Sequence, residues 1–146
     1  MDIGQPKDYL TGQKMYLSSL KDKEDSRLSK QSGLIEGDVM VHSSAKVHET
    51  AVLGPNVVIG ANCVVGAGAR IQNSTIMSQT KINDYAYVEG SIIGWNNTVG
   101  KWCRINGLTV TAEDVQFKDE IFVNGALVAP HKGVAASVIQ PGTIII

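Results

Sequence analysis

Aliphatic residues recur every five or six positions through most of this chain. The series consists of Val41, Val47, Leu53, Ile59, Val65, Ile71, Ile76, Ile82, Val88, Ile93, Val99, Ile105 and Val110. Every third member lies 17 or 18 residues further on, as in the set Ile59, Ile76, Ile93 and Val110. These two nested repeats predict a solenoid, in which each six-residue unit is a short strand and a corner and three units complete one triangular turn.

Small and turn-forming residues fall between the aliphatic positions. Small residues follow many of them by four places, as at Ala45, Cys63, Ala69, Thr80, Ala86 and Cys103. We therefore expect each aliphatic side chain to point to the axis with a small residue beside it. Gly and Asn are expected at the corners, where positive φ angles are needed. Like residues then stack on like, about 4.8 Å apart between turns.

The repeat weakens after Val110. Steps of six continue to Gln116, Phe122, Val128 and Val134. Gln116 is polar where the pattern requires an apolar residue, so either that turn is looser or it lies near the end of the solenoid, where polar residues are tolerated. We expect about five turns in all. The apolar tail Ile144-Ile145-Ile146 is expected to cover the last open turn or a second subunit.

The first 33 residues differ in character from residues 34–146. Residues 1–30 contain no Val and hold 11 of the 27 charged residues. Pro6 suits the first position of a helix, and Leu10, Leu17 and Leu20 recur at near-helical spacing. The sequence thus predicts a short amphipathic helix over roughly 6–20, a charged linker to about residue 33, and a β-solenoid domain over 34–146. A helix this short needs a surface to pack on.

Composition agrees with a β-rich protein and excludes several classes of partner. Val and Ile together number 30, against 8 Leu and 2 Phe, and β-branched residues favour strands. The net charge of −1 lacks the basic excess of a nucleic-acid binder, and no apolar run is long enough to cross a membrane. The start lacks a secretory signal, and Cys63 and Cys103 form no CxxC pair. We expect a cytoplasmic protein with two buried, inert thiols and no nucleic-acid or membrane partner.

Two groups of motifs resemble the mannose-1-phosphate guanylyltransferases. The segment Asp2-Ile3-Gly4-Gln5-Pro6-Lys7-Asp8-Tyr9, followed by Thr11-Gly12, resembles the end of their catalytic domain. The hexapeptide region resembles their C-terminal β-helix. The segments that carry this second resemblance are Ser91-Ile92-Ile93-Gly94-Trp95, Val99-Gly100-Lys101-Trp102, Glu113-Asp114-Val115, Asn124-Gly125-Ala126 and Pro130-His131-Lys132. The resemblance covers almost the whole chain and favours the catalytic type over the related regulatory subunit. It implies an all-β, left-handed parallel β-helix of hexapeptide repeats, with residues 1–33 ending a nucleotidyltransferase domain.

The resemblance also implies an activity for the full-length enzyme. Such an enzyme joins GTP and mannose 1-phosphate to give GDP-mannose and diphosphate. The family's Asp-Ile-Gly-x-Pro motif carries a magnesium-binding aspartate, which corresponds to Asp2 here. A hard dication suits phosphate chemistry, but one carboxylate is an incomplete site.

The family's Gly-rich nucleotide loop is missing from this chain, as an internal-start gene model or a fragment would lack it. Gly66-Ala67-Gly68 lies within the hexad series and is predicted to be a corner. We therefore expect this chain alone to have no catalytic or cofactor-binding residues and to transfer no guanylyl group. Its expected work is assembly through the β-helix, with itself or with a related guanylyltransferase subunit.

Two other functions remain open from the residues themselves. A hexapeptide-repeat acyltransferase would use a histidine as general base, for which His42, His48 and His131 are the candidates. His42 and His48 are expected at the surface, and His131 in a contact or cap. The three do not suggest one converging zinc site. A non-enzymatic scaffold would use strand edges and exposed apolar residues, such as Trp95, Trp102 and Ile144.

Overall fold

The computed structural model describes residues 10, 11, 13, 34–35 and 37–146. Its strands are two or three residues long, all pair in parallel, and form three sheets that the chain visits in turn. Sheet A contains β1 (Leu34–Ile35), β4 (Val52–Leu53), β7 (Arg70–Gln72), β10 (Tyr87–Glu89), β13 (Arg104–Asn106) and β16 (Phe122–Asn124). Sheet B contains β2 (Val39–Val41), β5 (Val57–Ile59), β8 (Ser74–Ile76), β11 (Ile92–Ile93), β14 (Val110–Thr111), β17 (Ala126–Val128) and β19 (Thr143–Ile145). Sheet C contains β3 (Lys46–Val47), β6 (Val64–Val65), β9 (Lys81–Ile82), β12 (Thr98–Val99), β15 (Gln116–Phe117) and β18 (Gly133–Val134).

The predicted three-sided β-solenoid is confirmed. Each sheet has six or seven strands, which makes about six turns, one more than predicted. The difference arises because β1 and β19 lie outside the aliphatic series from which turns were counted. The left-handed sense, which came from the resemblance, stays a prediction.

The predicted interior positions are confirmed for the first two thirds of the aliphatic series. Ile59 pairs with Ile76 and Ile76 with Ile93, and all three are at most 1% exposed. Equivalent rows run through Leu53, Ile71, Val88 and Ile105 in sheet A, and through Val65, Ile82 and Val99 in sheet C. The core of the molecule is therefore the axis of the solenoid.

The predicted register is wrong by one residue between Val110 and Phe122. Ile92, which faces outward, pairs with Val110, so Thr111 continues the interior row below Ile93. By the same shift, the interior residues of the next two strands are Phe117 and Val123. Gln116 therefore points outward in a regularly paired strand, and neither of the two expectations for an interior Gln116 applies. The series recovers at Val128 and Val134, which are each 4% exposed.

Buried hydrogen bonds allow a threonine in the interior row. Thr111 Oγ1 donates to Asn97 Oδ1 at 2.6 Å and accepts from the Gly94 N–H at 2.8 Å. Asn97 Nδ2 donates to the carbonyl oxygens of Trp95 at 2.7 Å and Ala112 at 2.8 Å. These partners offset the cost of burying polar groups, which is high only where the groups stay unpaired.

The corners stack from turn to turn and take positive φ angles. Between sheets B and C the positive-φ residues are Asn62, Gln79, Asn96, Asp114 and His131, and between sheets C and A they are Gly68, Tyr85, Trp102 and Glu120. A Cβ atom on Gly68 would lie 2.5 Å from the Tyr85 ring. Gly66-Ala67-Gly68 is therefore a corner, as predicted.

The N-terminal region is described at three residues. Leu10, Thr11 and Gln13 are helical. The rest of the predicted helix over 6–20, and the linker to residue 33, lie outside the described residues, so their extent stays a prediction. No helix in the described part of the chain is long and apolar enough to cross a membrane.

Candidate interaction surface

The outer face of sheet B carries a row of apolar side chains. Strand pairing aligns one outward residue from each of the seven strands, and these form the sheet B outer row: Met40, Val58, Thr75, Ile92, Val110, Leu127 and Ile144. Thr75 is the single polar member. Leu127 is 46% exposed and Ile144 is 62% exposed, so the row is uncovered at its C-terminal end.

The other two faces have different chemistry. The outward residues of sheet C are Lys46, Val64, Lys81, Thr98, Gln116 and Gly133, a composition typical of a solvated surface. The outward residues of sheet A are Val52, Arg70, Tyr87, Arg104 and Phe122. Sheet B is thus the face whose composition suits coverage by another apolar surface.

A shallow apolar groove lies at the end of the sheet B outer row. It has a volume of about 290 Å³ and runs between β14, β17 and β19, with Val110, Leu127 and Ile144 on its walls. β19 is the last strand of sheet B and pairs only with β17 among the described strands. Its outer edge offers unpaired backbone groups, which favour association.

Exposed aromatic side chains cluster at the corner between sheets C and A. The rings of Tyr85 and Trp102 stack with centroids 4.6 Å apart and planes 14° apart, and are 50% and 61% exposed. The Arg104 guanidinium lies 5.0 Å from the centroid of the Tyr87 ring. Trp95 is 53% exposed at a different corner. Packing over a corner therefore explains Trp102, which rests on Tyr85.

The three candidate histidines are exposed and separate. His42 Nδ1 lies 2.7 Å from Ser44 Oγ, and His48 Nδ1 lies 2.8 Å from Thr50 Oγ1, so the two form the same local turn on successive hexads. Each Nδ1 also accepts from the backbone N–H two residues on, at 3.1 Å. The surface placement of His42 and His48 is confirmed, and these turns account for their polar contacts.

His131 contacts a carboxylate at the corner of the preceding turn. Its Nδ1–H donates to Asp114 Oδ2 at 2.9 Å, and this hydrogen bond lowers the pKa of Asp114. His131 thus makes a contact between adjacent turns, as expected. No group of three His, Cys, Asp or Glu side chains that could hold a metal ion occurs in the part of the chain that the structure describes.

Both cysteines fill small interior positions. Cys63 donates from Sγ to the Met77 carbonyl at 2.9 Å, and Cys103 to the Lys118 carbonyl at 2.8 Å. Both thiols are free, and burial raises the pKa of each. The predicted burial of both thiols is confirmed, and a raised pKa disfavours the reactive thiolate.

The remaining candidate residue is Asp2, which lies outside the described residues. Its assignment to magnesium stays a prediction. The sheet B outer row was not predicted, because Val110 was taken as interior and the outward residues beside the other interior positions were not considered. The signal that identifies it is an apolar residue immediately before each interior position in sheet B, with Thr75 as the exception.

Comparison with known proteins adds a family. The model of the GMPPB C-terminal domain matches residues 35–144. A mannose-1-phosphate guanyltransferase from Debaryomyces hansenii is 52% identical over 138 residues, which cover 94% of this chain and 38% of that protein. The enzyme of the same name from Candida albicans is 49% identical over 145 residues, which cover 99% of this chain and 40% of that protein.

A solved structure supports the fold alone. A mutant GDP-perosamine N-acetyl transferase from Caulobacter crescentus, in complex with CoA and GDP-perosamine, superimposes with a TM-score of 0.67. The superposition covers 85% of this chain and 68% of the acetyl transferase chain, and the sequence identity is 13%. The chain spans about 40% of the length of the curated relatives it matches. It belongs to the GMPPB C-terminal domain family and corresponds to a C-terminal portion of the mannose-1-phosphate guanylyltransferases.

Proposed function

We propose that this chain is the assembly part of a cytoplasmic mannose-1-phosphate guanylyltransferase. The full-length enzyme would join GTP and mannose 1-phosphate, with Mg²⁺, to give GDP-mannose and diphosphate. Identity of about half of the residues over nearly the whole chain supports this assignment. The acyltransferase alternative has less support, because its three candidate histidines are explained by surface contacts.

The proposed work of the chain itself is pairing of subunits through the sheet B outer row. The observation that carries this proposal is the exposed apolar pair Leu127 and Ile144, which lie opposite each other on adjacent strands. A solenoid leaves unpaired edges at its ends, and an apolar face beside such an edge favours association. The proposed partner is a second copy of this chain or the β-helix of a related guanylyltransferase subunit.

The test compares two matched substitutions. Leu127→Lys places a charge on the sheet B outer row, whereas Val64→Lys does so on sheet C, where Val64 is 40% exposed. Light scattering after gel filtration, over a range of concentrations, should show an oligomer for the unmodified chain and Val64→Lys, and a monomer for Leu127→Lys. A monomeric unmodified chain, or equal effects of both substitutions, would refute the assembly role.

The same preparation tests the proposed division of labour. The purified chain, incubated with GTP, mannose 1-phosphate and Mg²⁺, is expected to release no GDP-mannose by anion-exchange chromatography. A Candida albicans chimera, in which this chain replaces the 145 matched residues, is expected to produce GDP-mannose. Product from the isolated chain, or an inactive but folded chimera, would contradict the proposal.

A further inference from the structure

The N-terminal helical residues are bound to the β-solenoid by side-chain amides. Gln13 Nε2 lies within donor distance of Asn56 O at 3.2 Å, Asn56 Oδ1 at 3.1 Å and Ser74 O at 3.3 Å. In return, Thr75 Oγ1 donates to Gln13 Oε1. Asn56 Nδ2 donates to the Leu10 carbonyl at 3.2 Å. The two amide groups thus connect residues that are 43 and 46 positions apart in sequence.

The solenoid side of these contacts is buried, whereas Gln13 is half-buried. Asn56 is 4% exposed, Thr75 is 2% exposed and Leu10 is 9% exposed. In such surroundings a hydrogen bond is strong, and a polar group that loses its partner is costly. Departure of the N-terminal residues would exchange these hydrogen bonds for hydrogen bonds to water and expose Leu10, so the contacts favour the attached position.

The site also explains the one polar residue of the sheet B outer row. Thr75 stands where the other six members of the row are apolar, and it is the member that receives Gln13. An exposed threonine would need no partner, but Thr75 is almost fully buried. The row is thus adapted to a polar segment at this position and left apolar at its C-terminal end.

We infer that Gln13, Asn56 and Thr75, here termed the clamp, hold the preceding nucleotidyltransferase domain in a fixed position on the β-solenoid. This inference rests on the proposed function. The motif Asp2-Ile3-Gly4-Gln5-Pro6 ends four residues before Leu10, so a fixed Leu10 restricts the end of that domain. The clamp residues are positioning residues and touch no substrate.

The length of the covalent connection shows why a clamp matters. Twenty residues, 14–33, separate Gln13 from β1 in the sequence. If a flexible linker of that length were the sole connection, its ends would lie about 25 Å apart on average, with wide variation. Direct attachment at residues 10–13 removes that freedom and sets the orientation of the preceding domain.

The first test uses the full chain and hydrogen–deuterium exchange. Gln13→Ala and Thr75→Val remove clamp hydrogen bonds, while Thr98→Val makes the same change as Thr75→Val on the outer face of sheet C. Relative to the unmodified chain, the amides of residues 10–13 should exchange about 10-fold faster in the two clamp variants. In Thr98→Val their exchange rates should be unchanged. Thr75→Ser, which keeps the hydroxyl, should restore slow exchange. Equal exchange in all variants would overturn the inference.

The second test separates the clamp from the proposed function. In the active Candida albicans chimera, spin labels on the catalytic domain and on the β-solenoid report the distance between them. Gln13→Ala and Thr75→Val should broaden the distance distribution, and Thr75→Ser should leave it narrow. An active chimera with unchanged distances would refute the clamp but keep the enzyme assignment. An inactive, folded chimera would refute the assignment, while the exchange experiment would still decide whether the clamp holds residues 10–13.

Discussion

A single threonine shows how this interior accepts a polar residue. Thr111 occupies a position that is aliphatic in the preceding turns of sheet B, and it is 4% exposed. Its hydroxyl is both a donor to Asn97 and an acceptor from Gly94. Because both hydrogen-bonding roles are used, the hydroxyl stabilises the turn instead of disrupting it.

Thr111→Val is therefore expected to destabilise the protein although valine is more apolar and of similar shape. The substitution leaves Asn97 Oδ1 and the Gly94 N–H without their buried partner, which costs about 1–3 kcal/mol. Urea denaturation should show this loss as a lower midpoint with an unchanged slope. Thr98→Val, on the outer face, should change stability by less than about 0.5 kcal/mol. A neutral or stabilising Thr111→Val would contradict this account of the network.

The same residue limited the prediction from sequence. Val110 faces outward and Thr111 inward, so hydropathy alone selects the wrong one of the two. The error arose at sheet B because its outer face is also apolar. Phe117 and Val123, one place after the assumed positions, carried the signal that would have corrected the register.

The clamp had no comparable signal. It joins polar residues from distant parts of the chain, and no periodicity relates Gln13 to Asn56 or Thr75. By contrast, the solenoid followed directly from sequence, because each turn repeats the same requirement for one aliphatic residue in six. A repeated pattern can be recognised in one sequence, whereas a contact that occurs once leaves no repeat to recognise.

At the scale of the element, the corners fix how closely successive turns approach. A Cβ atom on Gly94 would lie 2.4 Å from the Ala112 carbonyl oxygen, which is backbone and cannot rotate away. Gly133, in β18, has no atom within 4 Å of the same position. The two glycines therefore allow a matched comparison, because a methyl group would clash with the neighbouring turn at Gly94 and would meet no atom at Gly133.

Gly94→Ala is expected to destabilise the protein by about 2–3 kcal/mol, because the turns must separate to admit the methyl group. Gly133→Ala should change stability by less than about 0.5 kcal/mol. Thermal unfolding of the two variants at one concentration provides the measurement. Similar losses for both would show that crowding between turns does not determine the difference.

At the scale of the whole molecule, each described strand of the solenoid pairs with strands of the adjacent turns. Interior residues in the middle of sheet C, such as Val99, have a residue of the same row on both sides, Ile82 and Phe117. Val134 is in the last described strand of that sheet and has Phe117 on one side. In such a structure, stability is approximately a sum of turn and interface contributions.

Val99→Ala should therefore cost about 2–3 kcal/mol, from lost burial and the cavity left behind. Val134→Ala removes the same two methyl groups from a side chain that has one neighbour in its row instead of two. We therefore expect it to cost about half as much stability as Val99→Ala. Chemical denaturation monitored by circular dichroism compares the two. A larger loss from Val134→Ala would show that the end of the solenoid is as tightly constrained as its middle.

The triangular cross-section also determines how the molecule tolerates changes in length. A complete turn takes 17 or 18 residues, as the pairs Val58–Thr75 and Val52–Arg70 show. Inserting one such turn would move everything beyond it by about 4.8 Å along the axis without rotating it. Inserting six residues would instead rotate the rest by one third of a revolution, so Leu127 would leave the face that it shares with Thr75. Natural variation in length is thus expected to come in whole turns. Such variation would change the distance between surface features along the axis while keeping them on the same face.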